Sequence, residues 1–169
     1  EGHRMAVRHR ALSLLCLPLD LGLPLTLQRV SAEEAVMSAT FEGKPWTASF
    51  TLAQTMRLGG KPMLNLSGTE QGSPTTTFNS MLELKDPNNL PGGYPLKTGS
   101  PAGSANFNIL DSGATVGHVR FSGGEIVIDK YDAASKTISG HFSAFGKGES
   151  GKPEELVDGR FSGIPVTAQ

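Results

Sequence analysis

The chain has 169 residues, a formal charge of −1, 37% hydrophobic residues and a single Cys. That length allows one domain of ordinary size, or a leader plus a smaller one, and the apolar share supports a real core, which excludes wholesale disorder. Near-neutral charge excludes a general nucleic-acid binder, because no surplus of Lys or Arg exists to neutralise phosphates, and one Cys excludes both a disulfide framework and a cysteine-rich zinc site.

Residues 1–4 precede the first Met and are set aside as an expression remnant. Residues 5–32 read as a signal peptide, disordered if retained. Arg8, His9 and Arg10 give a basic start, Ala11 to Leu27 is Leu-rich, and Val30-Ser31-Ala32 offers the small residues of a cleavage site, with the cut after Ala32. Pro18, Asp20 and Pro24 interrupt the apolar run, which falls short of the ~20 apolar residues of a membrane span. Leu15 stands where a lipid anchor on Cys16 would want a small residue. Translation from Met37, giving a cytosolic protein, is the competing reading. The expectation is a periplasmic or secreted protein of a Gram-negative bacterium.

Residues 33–169 are expected to form a single domain. They carry 11 Lys/Arg against 14 Asp/Glu, a charge of −3, and contain every aromatic residue of the chain. Period-two alternation, which sends successive side chains to opposite faces of a strand, runs through this part. Met37, Ala39 and Phe41 lead to a turn at Glu42-Gly43-Lys44-Pro45, and Trp46, Ala48 and Phe50 return on one apolar face. Leu52 to Leu58 is the only short helix candidate. Leu64 and Leu66 mark the next strand, and Phe78, Leu82 and Leu84 another from about Thr76 to Lys85. The stretch from Asp86 to Pro101, rich in Pro and Gly, reads as an ordered surface loop around Tyr94.

Ala105, Phe107 and Ile109 mark a further strand, followed by one near Thr115 to Phe121. A hairpin then runs through Ile126 and Ile128, turns at Asp132-Ala133-Ala134-Ser135, and returns through Ile138, Gly140, Phe142 and Ala144. The last strand, near Val157 to Val166, carries Pro165, expected at an edge. Eight or nine strands joined by short turns predict an all-β fold, an antiparallel β-sandwich, with an up-and-down β-barrel as the alternative.

Chemical motifs are sparse. Gly146 to Lys152 matches G-x-x-x-x-G-K, but position 153 is Pro and no helix follows, so a polar hairpin loop is expected rather than a phosphate cradle. His118 shares a strand face with Arg120, opposite Val119 and Phe121, and His141 lies opposite Phe142. Neither has the spacing of a metal site. Glu125 with Asp129, and Glu154 with Glu155 and Asp158, read as solvated carboxylates. Trp46 is expected in the core, and Tyr94 in its loop is the more open candidate for stacking on a sugar.

Several phrases taken together carry a resemblance: Ala39-Thr40-Phe41-Glu42-Gly43-Lys44-Pro45-Trp46-Thr47-Ala48, then Pro91-Gly92-Gly93-Tyr94-Pro95-Leu96, then Gly124 to Asp132, Lys136 to Phe142, and Gly159-Arg160-Phe161. Over about residues 37–166 the chain resembles small exported or lipid-anchored bacterial β-domains of unknown function. The resemblance implies fold and compartment and brings no catalytic residues.

The sequence thus leads to an exported, non-enzymatic binding or envelope-associated protein, monomeric, without cofactor or metal, whose partner is a protein or a glycan. Export by a pathogen would also make it an antigen exposed to the host. The alternatives are a carbohydrate-binding module and a periplasmic hydrolase. Tyr94, His118, Arg120 and His141 are the candidate ligand or partner surface. An enzyme would bring two or more of His118, His141, Glu125, Asp129 and Asp158 into one concave pocket. A sugar binder would expose Tyr94 or Trp46, and an interaction module would show an exposed apolar patch or an open strand edge.

Overall fold

The computed structural model describes residues 34–99 and 103–168, so the leader reading lies outside the described residues. Ten strands follow in order: β1 (Val36–Phe41), β2 (Lys44–Thr47), β3 (Phe50–Leu58), β4 (Lys61–Glu70), β5 (Thr75–Glu83), β6 (Gly92–Pro95), β7 (Ser104–Asp111), β8 (Ala114–Asp132), β9 (Thr137–Gly148) and β10 (Pro153–Ala168). The fold is all-β, and its strands make one hydrogen-bonded sheet. Pairing runs β3–β4–β5–β7–β8–β9–β10 and returns to β3 through three parallel pairs, Val166 with Ala53, Thr167 with Gln54 and Ala168 with Thr55. Every other pairing is antiparallel, and the sheet is therefore partly closed into a ring. β1 and β2 attach to one side of β10, and β6 attaches to β8 beyond the start of β7.

Local chemistry places the tight turns. Glu42-Gly43, Gly59-Gly60 and Ser112-Gly113 each put two successive residues at positive φ, the signature of two-residue hairpins whose twist matches the strands. Asp132 Oδ1 accepts hydrogen bonds from the backbone N–H of Ala134 (2.9 Å) and Ser135 (3.1 Å), as the sequence of that turn predicts. These two donors hold the Asp132 carboxyl below its ordinary range. Their contribution is present at neutral pH and is lost as pH falls through the folded-state pKa.

One apolar cluster takes side chains from all ten strands. Phe78 stacks on Phe142 with centroids 4.8 Å apart, and Phe41 stacks on Phe107 at 4.3 Å. Trp46 is 3% exposed, and its Nε1–H donates to Thr76 Oγ1 at 2.8 Å, so core packing is its role, as expected. The edge strands β2 and β6 have four residues each and contain Pro45 and Pro95 respectively, features that blunt an open edge.

Five local expectations need correction. Leu52 to Leu58 is not helical: it belongs to β3, which pairs with β4 over nine consecutive residues, so sheet pairing outweighs local preference. Phe50 does not share the apolar face of Trp46 and is 60% exposed. The chain bends after Ala48, whose N–H donates to Met37, while the Ser49 N–H already donates to Thr69; this handover from β1 to β4 changes which side faces inward. The Asp86–Pro101 loop contains β6, paired with β8. Pro165 pairs with Thr137 on one side and on the other falls between Ser162, the last residue paired with β1, and Val166, the first paired with β3, so the end of β10 is not at a sheet edge.

Tyr94 is the fifth. It is 7% exposed and donates its hydroxyl to the Leu90 carbonyl at 2.6 Å, so it closes the core and offers no stacking platform. Burial pushes its phenol pKa up. Stability is then fully present below the ordinary tyrosine pKa of about 10 and falls as pH rises beyond it, because only the unfolded phenol ionises freely. Tyr94→Phe is expected to cost about 1 kcal/mol at neutral pH through the unpaired Leu90 carbonyl. It should also flatten the loss of stability above pH 10, read by urea unfolding across that range.

Candidate functional site

The outer face of β1, β10, β9 and β8 carries an open groove of about 720 Å³. Register places its residues in rows across the strands: Ser38 opposite Arg160, Arg160 opposite His141, and His141 opposite Val127. Asp129, Asp158 and four serines (Ser38, Ser139, Ser143 and Ser162) line the same groove. Phe142 and Phe161 lie at its floor and also belong to the core, so the groove rests on rigid packing.

Irregular pairing aims these side chains. Between β8 and β9 the register slips by one residue after Ile128, so Asp129 and Lys130 together face Ser139. Between β10 and β9 it slips at Asp158 and again around Ser162 and Gly163. Bulges of this kind bend a strand and redirect a side chain, and they recur beside functional sites. At the third slip, the Gly163 N–H donates to Ser139 Oγ at 3.1 Å.

Asp158 is a non-Gly residue at φ +53; the others with positive φ among the described residues, Glu42, Ser112 and Lys136, sit in turns between strands, whereas Asp158 lies within β10. Aspartate tolerates the left-handed region better than most residues, and β-branched residues tolerate it least. Asp158→Gly is therefore expected to change stability by less than about 0.5 kcal/mol, and Asp158→Val to lower it by about 1–2 kcal/mol. Thermal melts compare the two; an undiminished Val variant would contradict the strained geometry.

His141 and Asp129 meet at 2.9 Å, Nδ1 to Oδ2, both substantially exposed. The carboxylate fixes the ring and, when Nδ1 carries the proton, leaves Nε2 as an acceptor. Among the described residues this is the hydrogen bond His141 makes. Three of the five residues named as an enzyme's requirement, Asp129, His141 and Asp158, thus converge in one pocket. The pair orients a base at the groove.

The remaining candidates lie elsewhere. His118 is half-buried on β8 with Nδ1 2.6 Å from Asn108 Oδ1, and the Asn108 amide donates to Asn106 at 2.9 Å. Arg120, two residues on, is exposed and pairs across to Asn106 and Lys147. Neither lines the groove around His141. Glu125 is exposed outside it as well, and Glu154 has its carboxyl pushed up by burial and by the charge of Glu42, with Lys152 opposing. Exposed large apolar residues, Val36, Phe50, Leu58, Val116 and Phe145, are spread over four strands. Among the described residues, no cluster of three or more His, Cys, Asp or Glu is placed to hold a metal ion, and no helix is long and apolar enough to cross a membrane.

Sequence reading found His141 but missed Arg160 and the serines as its neighbours. Asp158-Gly159 inside a strand was the available signal, since an isolated Gly in an alternating run marks a bulge. Comparison with protein-family models, curated proteins and solved structures finds no match.

Proposed function

We propose that this chain is a non-catalytic binding protein and that the groove around His141 and Arg160 receives its ligand. The observation that carries the reading is the convergence of Asp129, His141, Asp158, Arg160 and four serines on one open face, aimed there by three slips of register. Arg160 and Asp158 form no ion pair among the described residues, so a charged donor and a charged acceptor stand ready for a polar ligand. A glycan or a polar peptide segment suits such a mixture of hydroxyls and charges. With Trp46 and Tyr94 both buried, a sugar would be held by hydrogen bonds and not by stacking on these rings. The reading includes export, supported by the Leu-rich run before Val30-Ser31-Ala32.

The Asp129–His141 pair favours one second reading, a hydrolase in which His141 acts as base. The two separate in one experiment. The full chain is titrated calorimetrically with neutral tri- and tetrasaccharides and with polar hexapeptides, and the recovered ligands are analysed by mass spectrometry. Binding with intact ligand is the expected result. Cleavage products that disappear in His141→Ala would overturn it in favour of the hydrolase.

A further inference from the structure

A second recess of about 250 Å³ lies where the chain leaves β6 and enters β7. The Leu96 N–H donates to Gly124 and the Lys97 N–H to Gly103, which ties this connection onto β8 beside the start of β7. Lys97, Thr98 and Gly99 form one wall, and Asn106, Arg120 and Phe121 contribute the rest with Ser104 and Ala105. Among the described residues, no acidic side chain lines it. Neither Lys97 nor Arg120 enters an ion pair among the described residues, and Lys147 faces Arg120 across the β8–β9 register.

Residues 33–169 carry a charge of −3, so three cations on one patch, Lys97, Arg120 and Lys147, none in an ion pair among the described residues, stand out against the background of this domain. Two of the cations line the same concavity beside an amide and a hydroxyl, Asn106 and Thr98. A guanidinium offers two parallel donors to an oxyanion, an ammonium adds a point charge, and amide and hydroxyl groups complete the hydrogen bonding. We infer that this recess is a binding site for a small oxyanion, a phosphate, sulfate or carboxylate group, with Arg120 as its principal ligand and Lys97 as the second. It is independent of the groove around His141, with which it shares no lining residue.

The test is a ¹H–¹⁵N titration of the full chain with sodium phosphate, sodium sulfate and sodium acetate, each against sodium chloride at matched ionic strength. Saturable shifts at the amides of Lys97, Thr98, Asn106 and Arg120 are expected with at least one oxyanion and not with chloride. The salt that saturates at the lowest concentration identifies the preferred group. Arg120→Gln should weaken binding about tenfold or more, as loss of a charge-assisted bond does, and Lys97→Gln should weaken it less. Both side chains sit on the surface, so spectra elsewhere should stay unchanged. Non-saturating drift shared by chloride, or saturable shifts that persist in both variants, would overturn the assignment.

Discussion

Phe78→Ala is expected to lower the free energy of unfolding by about 4 kcal/mol. Phe78 is fully buried on β5, stacked on Phe142 at 4.8 Å and tilted against Phe121 at 6.4 Å; Phe142 continues the chain of rings to Phe161 at 6.4 Å. These rings come from β5, β8, β9 and β10, the strands whose pairings lead around the curled sheet. Truncation would remove apolar area and also leave a cavity that rigid strands cannot close. Domains of this size have about 5–15 kcal/mol in hand, so the variant should be marginal. Phe78→Leu, which keeps most of the volume, should cost about 1–1.5 kcal/mol. Urea unfolding with an unchanged m-value measures both; a loss below about 1 kcal/mol in the Ala variant would show that the rings do not form one packed unit.

Gly140→Ala is expected to cost about 3 kcal/mol, an unusually large penalty for one methyl group. Gly140 lies on β9 between Ser139 and His141 and lines the groove. A Cβ there would run into the Val127 carbonyl oxygen and approach the Phe161 ring to 2.6 Å. The first of these is backbone held in the β8–β9 ladder, so it cannot turn aside as a side chain would. Replacing Gly by Ala ordinarily gains about 0.4–1 kcal/mol by restricting the unfolded chain, and the clash must outweigh that gain. Denaturant unfolding should show the loss, and the amides of Val127, His141 and Phe161 should shift. A neutral variant would mean that β8 and β9 are further apart at the groove than this packing requires.

The all-β class was legible because alternation at period two survives wherever one face is buried. Phe78, Leu82 and Leu84, or Ile138, Phe142 and Ala144, announce their strands without help from the rest of the chain. Positions where the chain changes partner were not legible. Phe50 keeps the alternation on paper, yet it is exposed because the handover from β1 to β4 occurs between Ala48 and Ser49. Ring closure through Val166 and Ala53 joins residues more than a hundred apart, and no local pattern encodes it. The site followed the same logic: alternation placed His141 on the outer face, but only the slipped register brings Asp129 and Asp158 to it. Tyr94 misled because Gly93 and Pro95 suggested an open loop where β6 pairs with β8 and covers the core.

The groove and the rigid ring beneath it are two consequences of one arrangement. Beside the outward His141, Asp158 and Arg160, their chain neighbours Phe142, Gly159 and Phe161 are buried, so packing fixes what the outer face presents. The most direct measurement is a ¹H–¹⁵N titration of the full chain with the neutral oligosaccharides and polar hexapeptides, repeated on Arg160→Gln. The account predicts saturable shifts confined to the amides of Ser38, Ser139, His141, Asp158 and Arg160 with at least one probe, weakened about tenfold in the variant. The hexapeptides are N-acetylated, C-amidated and free of acidic residues, so that no carboxylate reaches the recess at Arg120. Saturable shifts that map to any other face, or that Arg160→Gln leaves intact, would contradict the account.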